Sequence, residues 1–241
     1  MNNKPRLIAS LTCIESRKDY LYNVLNSLVN QSLKFDLINV YCQFNKEKVD
    51  NRILNLDTVN MIYVNNNYNA YNKYAHLNEE FTNDIVILCD DDIEYNKEYS
   101  KNLMDGYVKN KDCLICNCFN EVKLTDHNIR WNSPVFTYET KNKYIKPLTG
   151  WGTLIPPNFF DDTDLYKKLD FAIENMPTDD EPWMYINCLK YNKYIYCIGA
   201  YKDKFNKSIC LHTKNFKDAL YNINVVKQYK YNDICFEFLK N

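Results

Sequence analysis

Short apolar runs alternate along the chain with stretches of helical spacing. Residues 6–12 read as a buried strand. Over 18–30 the apolar positions fall at 21, 24, 25 and 28, the stripe of a helix lying on a core. The pattern predicts strands over 37–42 and 59–64 with a short helix over 46–55 between them. A polar loop then leads to a helix over 71–80. Residues 84–89, Asp-Ile-Val-Ile-Leu-Cys, are the clearest strand and run directly into Asp90, Asp91 and Asp92. A helix over 96–109 and a strand over 113–118 complete the series.

Strand–helix alternation across residues 5–120 predicts an α/β fold with a mostly parallel, Rossmann-like central sheet flanked by helices. Beyond residue 120 the rhythm weakens. Prolines at 134, 147, 156 and 157 mark irregular structure, and helices are predicted over 161–169 and 181–191. The tail over 215–241 reads as one or two helices, either packed on the core or resting against a membrane. No repeat or linker interrupts the chain, so a single domain over 1–241 is expected, with halves 1–120 and 121–241. Ligands of such sheets bind beyond the carboxyl ends of the strands. The loops after Thr12 and Val64 and the acidic triplet should therefore converge.

Composition narrows the picture. With 30 basic and 31 acidic residues the net charge is −1, which gives no electrostatic reason to expect a nucleic-acid partner or a nuclease. At 46% hydrophobic the chain is that of a globular protein. The longest apolar run, 85–89, is far short of a membrane span, and the first ten residues lack an apolar leader, so a cytoplasmic location is expected. Cys113, Cys116 and Cys118 suggest a metal knuckle, but no second ligand pair accompanies them. The ten cysteines are expected as buried reduced thiols. Glycine is scarce, at four residues, and two of them flank a tryptophan in Thr149-Gly150-Trp151-Gly152-Thr153. Such a pair implies a tight turn or a close approach of backbone to ligand.

Three clusters could carry chemistry. Three consecutive carboxylates at a strand end repel one another unless a cation sits among them. An extended chain would place Asp90 and Asp92 on one side and Asp91 on the other, so a divalent cation or a helix-capping turn both suit the triplet. Thr178-Asp179-Asp180-Glu181-Pro182-Trp183 opens a helix, where acids and Pro are favourable as caps. Capping does not account for three acids, so one of them could serve as a general base. His212 closes an apolar run and could be a ligand or a structural residue; His76 and His127 are weaker candidates.

In this order the pieces resemble a nucleotide-sugar glycosyltransferase of the GT-A fold. Residues 85–93 look like the hydrophobic strand and DxD motif that close the nucleotide-binding half, here 1–120. Asp179-Asp180-Glu181-Pro182-Trp183 is similar to the acidic helix start that carries the catalytic carboxylate in the acceptor half. His212 takes the place of a third metal ligand. Tyr68-Asn69-Ala70-Tyr71-Asn72-Lys73 resembles a Tyr-Gly-Pro-x-x-Lys loop, with Asn69 and Ala70 replacing Gly and Pro. Gly150-Trp151-Gly152 resembles a segment lining the donor-sugar and acceptor pocket. The resemblance implies that Thr12, Glu15 and Arg17 receive the base and ribose, and that Lys73 offers a cation to them or to the diphosphate. It implies that Asp90 and Asp91 contact the nucleotide sugar, and that Asp92, Asp90 and His212 hold Mn²⁺ or Mg²⁺. Asp180, or else Asp179, would take the proton of an acceptor hydroxyl. The partners implied are a UDP- or GDP-sugar and a glycan, lipid-linked or protein acceptor. A sugar-phosphate nucleotidyltransferase is the nearest alternative, but the loop over 12–19 lacks that class's glycines. A noncatalytic nucleotide-sugar-binding protein is the other. Trp131, Phe136, Tyr138 and Tyr144 could stack on sugar rings or simply pack.

Overall fold

A computed structural model describes residues 4–65, 68–77, 81–135, 138–199, 208–211 and 220–240. Strand β1 (Leu7–Cys13) leads through helix α1 (Lys18–Val29) to β2 (Leu37–Cys42) and β3 (Val59–Tyr63). The one-turn helix α2 (Asn72–Ala75) precedes β4 (Ile85–Leu88) and the short β5 (Ile93–Glu94). Helix α3 (Tyr99–Lys109) and β6 (Cys113–Cys116) follow. The chain then makes β7 (Phe119–Leu124), β8 (Ile129–Val135), β9 (Thr140–Asn142), β10 (Ile145–Pro147) and β11 (Thr153–Ile155). It ends with α4 (Leu169–Asn175), α5 (Glu181–Lys190), β12 (Tyr194–Cys197), β13 (Ile209–Cys210) and α6 (Leu220–Lys240).

The central sheet has eight strands in the order β3-β2-β1-β4-β11-β6-β12-β9. Parallel pairings join β1 to β2 and β4, β2 to β3, and β12 to β6, whereas β11 and β9 run the other way. Side chains of β1 alternate between two cores, because successive residues of a strand face opposite ways. Ile8 joins the cluster containing Trp183 and Phe160, and Leu7, Ala9 and Leu11 join the one packed under α1. Sandwiching on both faces explains why β1 is apolar at neighbouring as well as alternate positions, as in Leu7-Ile8-Ala9. Leu21, Val24, Leu25 and Leu28 form the buried stripe of α1, at the four positions its spacing marks. Arg6 fixes the start of the β1–β4 pair by donating from its backbone and guanidinium to Asp84, at 2.9 and 2.6 Å.

Several elements differ from the sequence pattern. The short helix expected over 46–55 is two separate 3₁₀ turns, at Lys46–Lys48 and Ile53–Asn55. The expected helix over 161–169 is a run of turns, and the helix lies downstream at Leu169–Asn175. Within residues 119–147 lies a small antiparallel sheet, β10-β7-β8, where the sequence pattern marked only a weakening rhythm. The described part of the tail, 220–240, is one helix whose Tyr231, Cys235, Phe236 and Phe238 are buried in the protein core. Every described cysteine except Cys210 is buried, including Cys113, Cys116 and Cys118. Among the described residues no helix is long and apolar enough to cross a membrane.

Candidate active site

The site lies past the carboxyl ends of β1 and β4. Here β4 runs into Asp90, and the chain turns at 91–92 before β5. That turn changes the expected alternation of the triplet. Asp90 accepts from Lys73 Nζ at 3.2 Å, whereas Asp91 and Asp92 share the Arg17 guanidinium at 2.8 and 3.3 Å. Arg17 comes from the 3₁₀ turn after β1, and the Ile14 N–H there also donates to Asp91 at 3.3 Å. The protein's own cations thus already sit among the three carboxylates.

Lys73 is the centre of the arrangement. It is only 3% exposed. Its ammonium donates to Thr149 Oγ1 at 2.9 Å and lies 3.3 Å from Asp180 Oδ2. Thr149 in turn donates to the same Asp180 oxygen at 3.4 Å. Burial would lower the Lys73 ammonium, but Asp180 and Asp90 outweigh it and hold it above the ordinary lysine range. The backbone beneath is anchored on both sides. Ser10 of β1 donates to the Lys73 carbonyl, and the Tyr74 hydroxyl donates to the Asp180 carbonyl at 3.2 Å. The Tyr71 hydroxyl bonds the Met176 carbonyl at 2.9 Å. Segment 69–75 is thereby fastened to the approach to α5.

Asp180 is 4% exposed. Burial pushes its carboxyl up to about 6 against the pull of Lys73, with Glu181 and Asp90 adding to the rise. Asp179 is half-buried, and its Oδ1 accepts from the Glu181 N–H at 3.3 Å, at the first residue of α5. Burial pushes Asp179 up to about 7, opposed by Lys146 and aided by Glu181. Glu181 pairs with buried Lys146 and accepts from the Thr149 N–H at 3.0 Å, tying the glycine–tryptophan turn to α5. Lys146 also lies over the Trp131 ring, 5.5 Å from its centroid.

The two glycines of that turn answer to different neighbours. A Cβ on Gly150 would stand 1.6 Å from Asp90 Oδ2, so only glycine lets the turn close on the carboxylate. Tyr95 fixes this approach: its hydroxyl accepts from the Asp90 N–H and donates to the Gly150 carbonyl, both at 2.7 Å. Gly152 has φ +113°, and its Cβ would meet Asn117 and Tyr99 at 2.6 Å, a requirement of packing. The Trp151 carbonyl accepts from Asn117 at 2.8 Å.

Other expected residues sit apart. Exposed Glu15 pairs with Lys48 at 2.6 Å. Thr12 donates to the Tyr41 carbonyl at 3.1 Å and receives Gln43 at 3.4 Å. A cleft of about 300 Å³ opens beside them at the ends of β2 and β3, lined among others by Cys42, Gln43, Tyr63 and Asn65. His212 and Phe136 lie outside the described residues. His76 stacks on Tyr41 with centroids 5.0 Å apart. Tyr138 donates to Glu121 at 2.6 Å, and Tyr144 is largely exposed. Sequence reasoning missed Thr149, Tyr95 and the Lys146–Glu181 pair. Thr149 carried a signal as the flank of the Gly-Trp-Gly segment and Glu181 as a member of the acidic helix start, whereas Tyr95 and Lys146 carried none.

Among the described residues no three His, Cys, Asp or Glu side chains form a metal cage. Magnesium and manganese commonly take one or two carboxylates together with phosphate oxygens, a number that the expected pair Asp90 and Asp92 would match. One observation fits such an ion. Burial and then Asp90 push the Asp92 carboxyl up to about 7 even beside Arg17, so negative charge here remains incompletely offset.

No family model and no curated protein sequence matches the chain. Among solved structures it is similar to residues 1–349 of S. aureus TarS, a glycosyltransferase, with 13% identity and a TM-score of 0.53. The match covers 80% of this chain and 57% of the TarS chain. At that identity the likeness shows the fold, which is GT-A-like.

Proposed function

We propose that this chain is a glycosyltransferase that moves a sugar from a nucleoside-diphosphate sugar to an acceptor hydroxyl. The supporting observation is the meeting of Asp90, after β4, with Asp180, at the start of α5, on the one ammonium of buried Lys73. In a GT-A-like fold this joins a donor-side carboxylate to a candidate base across 90 residues of sequence.

In this reading the nucleotide lies beyond the ends of β1 and β2, where Thr12, Gln43 and the adjoining cleft supply polar groups and a wall for the base. Asp90 and Asp92 would hold Mn²⁺ or Mg²⁺, whose chemistry when bound is to stabilise charge on the departing diphosphate. Asp180 accepts the proton of the attacking acceptor hydroxyl, since its carboxylate is ionised near neutral pH yet basic enough to take a proton. Thr149 and Lys73 orient that carboxylate. Asp179 accepts from the N–H of the first residue of α5.

The test is a panel of UDP- and GDP-sugars with Mn²⁺, reading release of nucleoside diphosphate with and without sugar acceptors. Asp180→Asn should cut turnover about 10²- to 10⁴-fold with nucleoside diphosphate affinity nearly unchanged. Asp179→Asn should retain most of it. Full turnover by Asp180→Asn would remove the base from this reading. Binding without turnover in the parent would indicate a nucleotide-sugar-binding protein instead.

A further inference from the structure

Lys73 was expected to face the donor, yet its ammonium is enclosed. Its three oxygen partners, on Asp90, Thr149 and Asp180, all lie within 3.3 Å. Reaching a diphosphate would break these contacts and leave the buried Asp180 carboxylate without its cation. Resting on the glycosyltransferase reading above, we infer that Lys73 is a positioning residue, holding Asp180 oriented and ionised for proton abstraction rather than binding the donor itself.

The surroundings of Asp180 support this division of labour. Asp90 faces it from the end of β4, and Asp179 and Glu181 from its own helix start, so most neighbouring charge opposes its ionisation. The hydroxyls of Tyr71 and Tyr74 face the same turn from segment 69–75 and stay protonated, raised first by burial and then by Asp180. Lys146 of β10 is committed to Glu181. Lys73 is therefore the cation that keeps Asp180 charged. Its position is fixed from two sides, because Ser10 holds its carbonyl and Thr149 its ammonium. The shared contact with Asp90 puts the same ammonium against the donor-side carboxylate, so one side chain spans both reacting partners.

The experiment compares the parent, Lys73→Met and Lys73→Arg across pH. It reads kcat and donor KM, together with the Asp180 carboxyl by ¹³C NMR, assigned through Asp180→Asn. Lys73→Met should move both the Asp180 titration and the acid limb of kcat upward by about one pH unit or more. Turnover at pH 7 should fall roughly 10- to 100-fold, with donor KM within about threefold. Lys73→Arg should keep the titration near parental. If Lys73→Met does not fold, Lys73→Gln keeps a polar partner for Thr149 while removing the charge. An Asp180 titration that does not move, a KM loss exceeding the kcat loss, or an Asp180 still protonated at pH 7.5 in the parent would each overturn the proposal. A parent that turns over no nucleotide sugar, while Lys73→Met still shifts Asp180, would overturn the glycosyltransferase reading and support the Lys73 hold.

Discussion

Asp179 and Asp180 are adjacent carboxylates with different surroundings, and pH separates them. Asp179 is pushed up to about 7, first by burial. A folded-state value above the unfolded one means the folded chain binds the proton more tightly. Its cost is therefore absent below about pH 4 and grows as pH rises toward 7. Asp179→Asn keeps an oxygen for the Glu181 N–H and removes the charge. It should raise stability at pH 8 by on the order of 2 kcal/mol and leave it unchanged at pH 4, as read by thermal melts across pH. The glycines divide just as clearly. Gly150→Ala should displace the Asp90 carboxylate and reduce turnover at least tenfold with little change in melting, since its Cβ meets that side chain. Gly152→Ala should instead destabilise by about 1–3 kcal/mol, because a positive φ and Tyr99 both resist a Cβ. Comparing activity and melting for the two variants checks this split. At this scale the sequence marked the acids and glycines because their residue types are unusual where they stand. It could not mark their partners. That Arg17 serves Asp91 and Asp92, and Lys73 serves Asp180, depends on contacts 74 to 107 residues apart.

At the level of elements, legibility followed burial on both faces. β1, β2, β4 and α1 announced themselves because apolar residues dominate the strands and fall on one stripe of the helix. β11 is three residues long, and β7 and β8 mix buried with exposed positions and are shifted by an irregularity between Asn120 and Val122. Neither signal rises above that of a loop. The displacement of α4 has a similar cause: it buries only Ala172 fully, so no stripe marks its start. The tail helix α6 was visible as helix but not as core. Phe238 packs edge-on against Trp183, with centroids 4.7 Å apart, under the ammonium of Lys190 at 4.2 Å. Phe238→Ala should cost about 3–5 kcal/mol, measured by denaturant unfolding. Because α6 contacts α5, that loss is expected to loosen the helix that presents Asp180.

Across the whole molecule, cores on both faces of one sheet bring the carboxyl ends of β1 and β4 to a common edge, where segments from both halves of the chain meet. The site gathers Asp90, Asp91, Asp92, Asp179, Asp180 and Glu181 around Arg17, Lys73 and Lys146, so carboxylates outnumber cations six to three. A nearly neutral chain thus concentrates negative charge at one place, which favours a divalent ion beside an anionic diphosphate. Nucleoside diphosphate affinity should accordingly rise with Mn²⁺ in the parent and lose most of that gain in Asp92→Asn, as calorimetry would read. The antiparallel strand β11 has a further consequence for how the chain can be cut. It comes from the second half, yet it lies between β4 and β6 of the first. A fragment ending at residue 120 would keep both flanking strands but leave them two strand spacings apart, roughly 10 Å. Their open hydrogen-bonding edges would invite pairing between molecules. The two halves are thus interleaved in one sheet, with β4 and β6 of the first joined through residues 153–155 of the second.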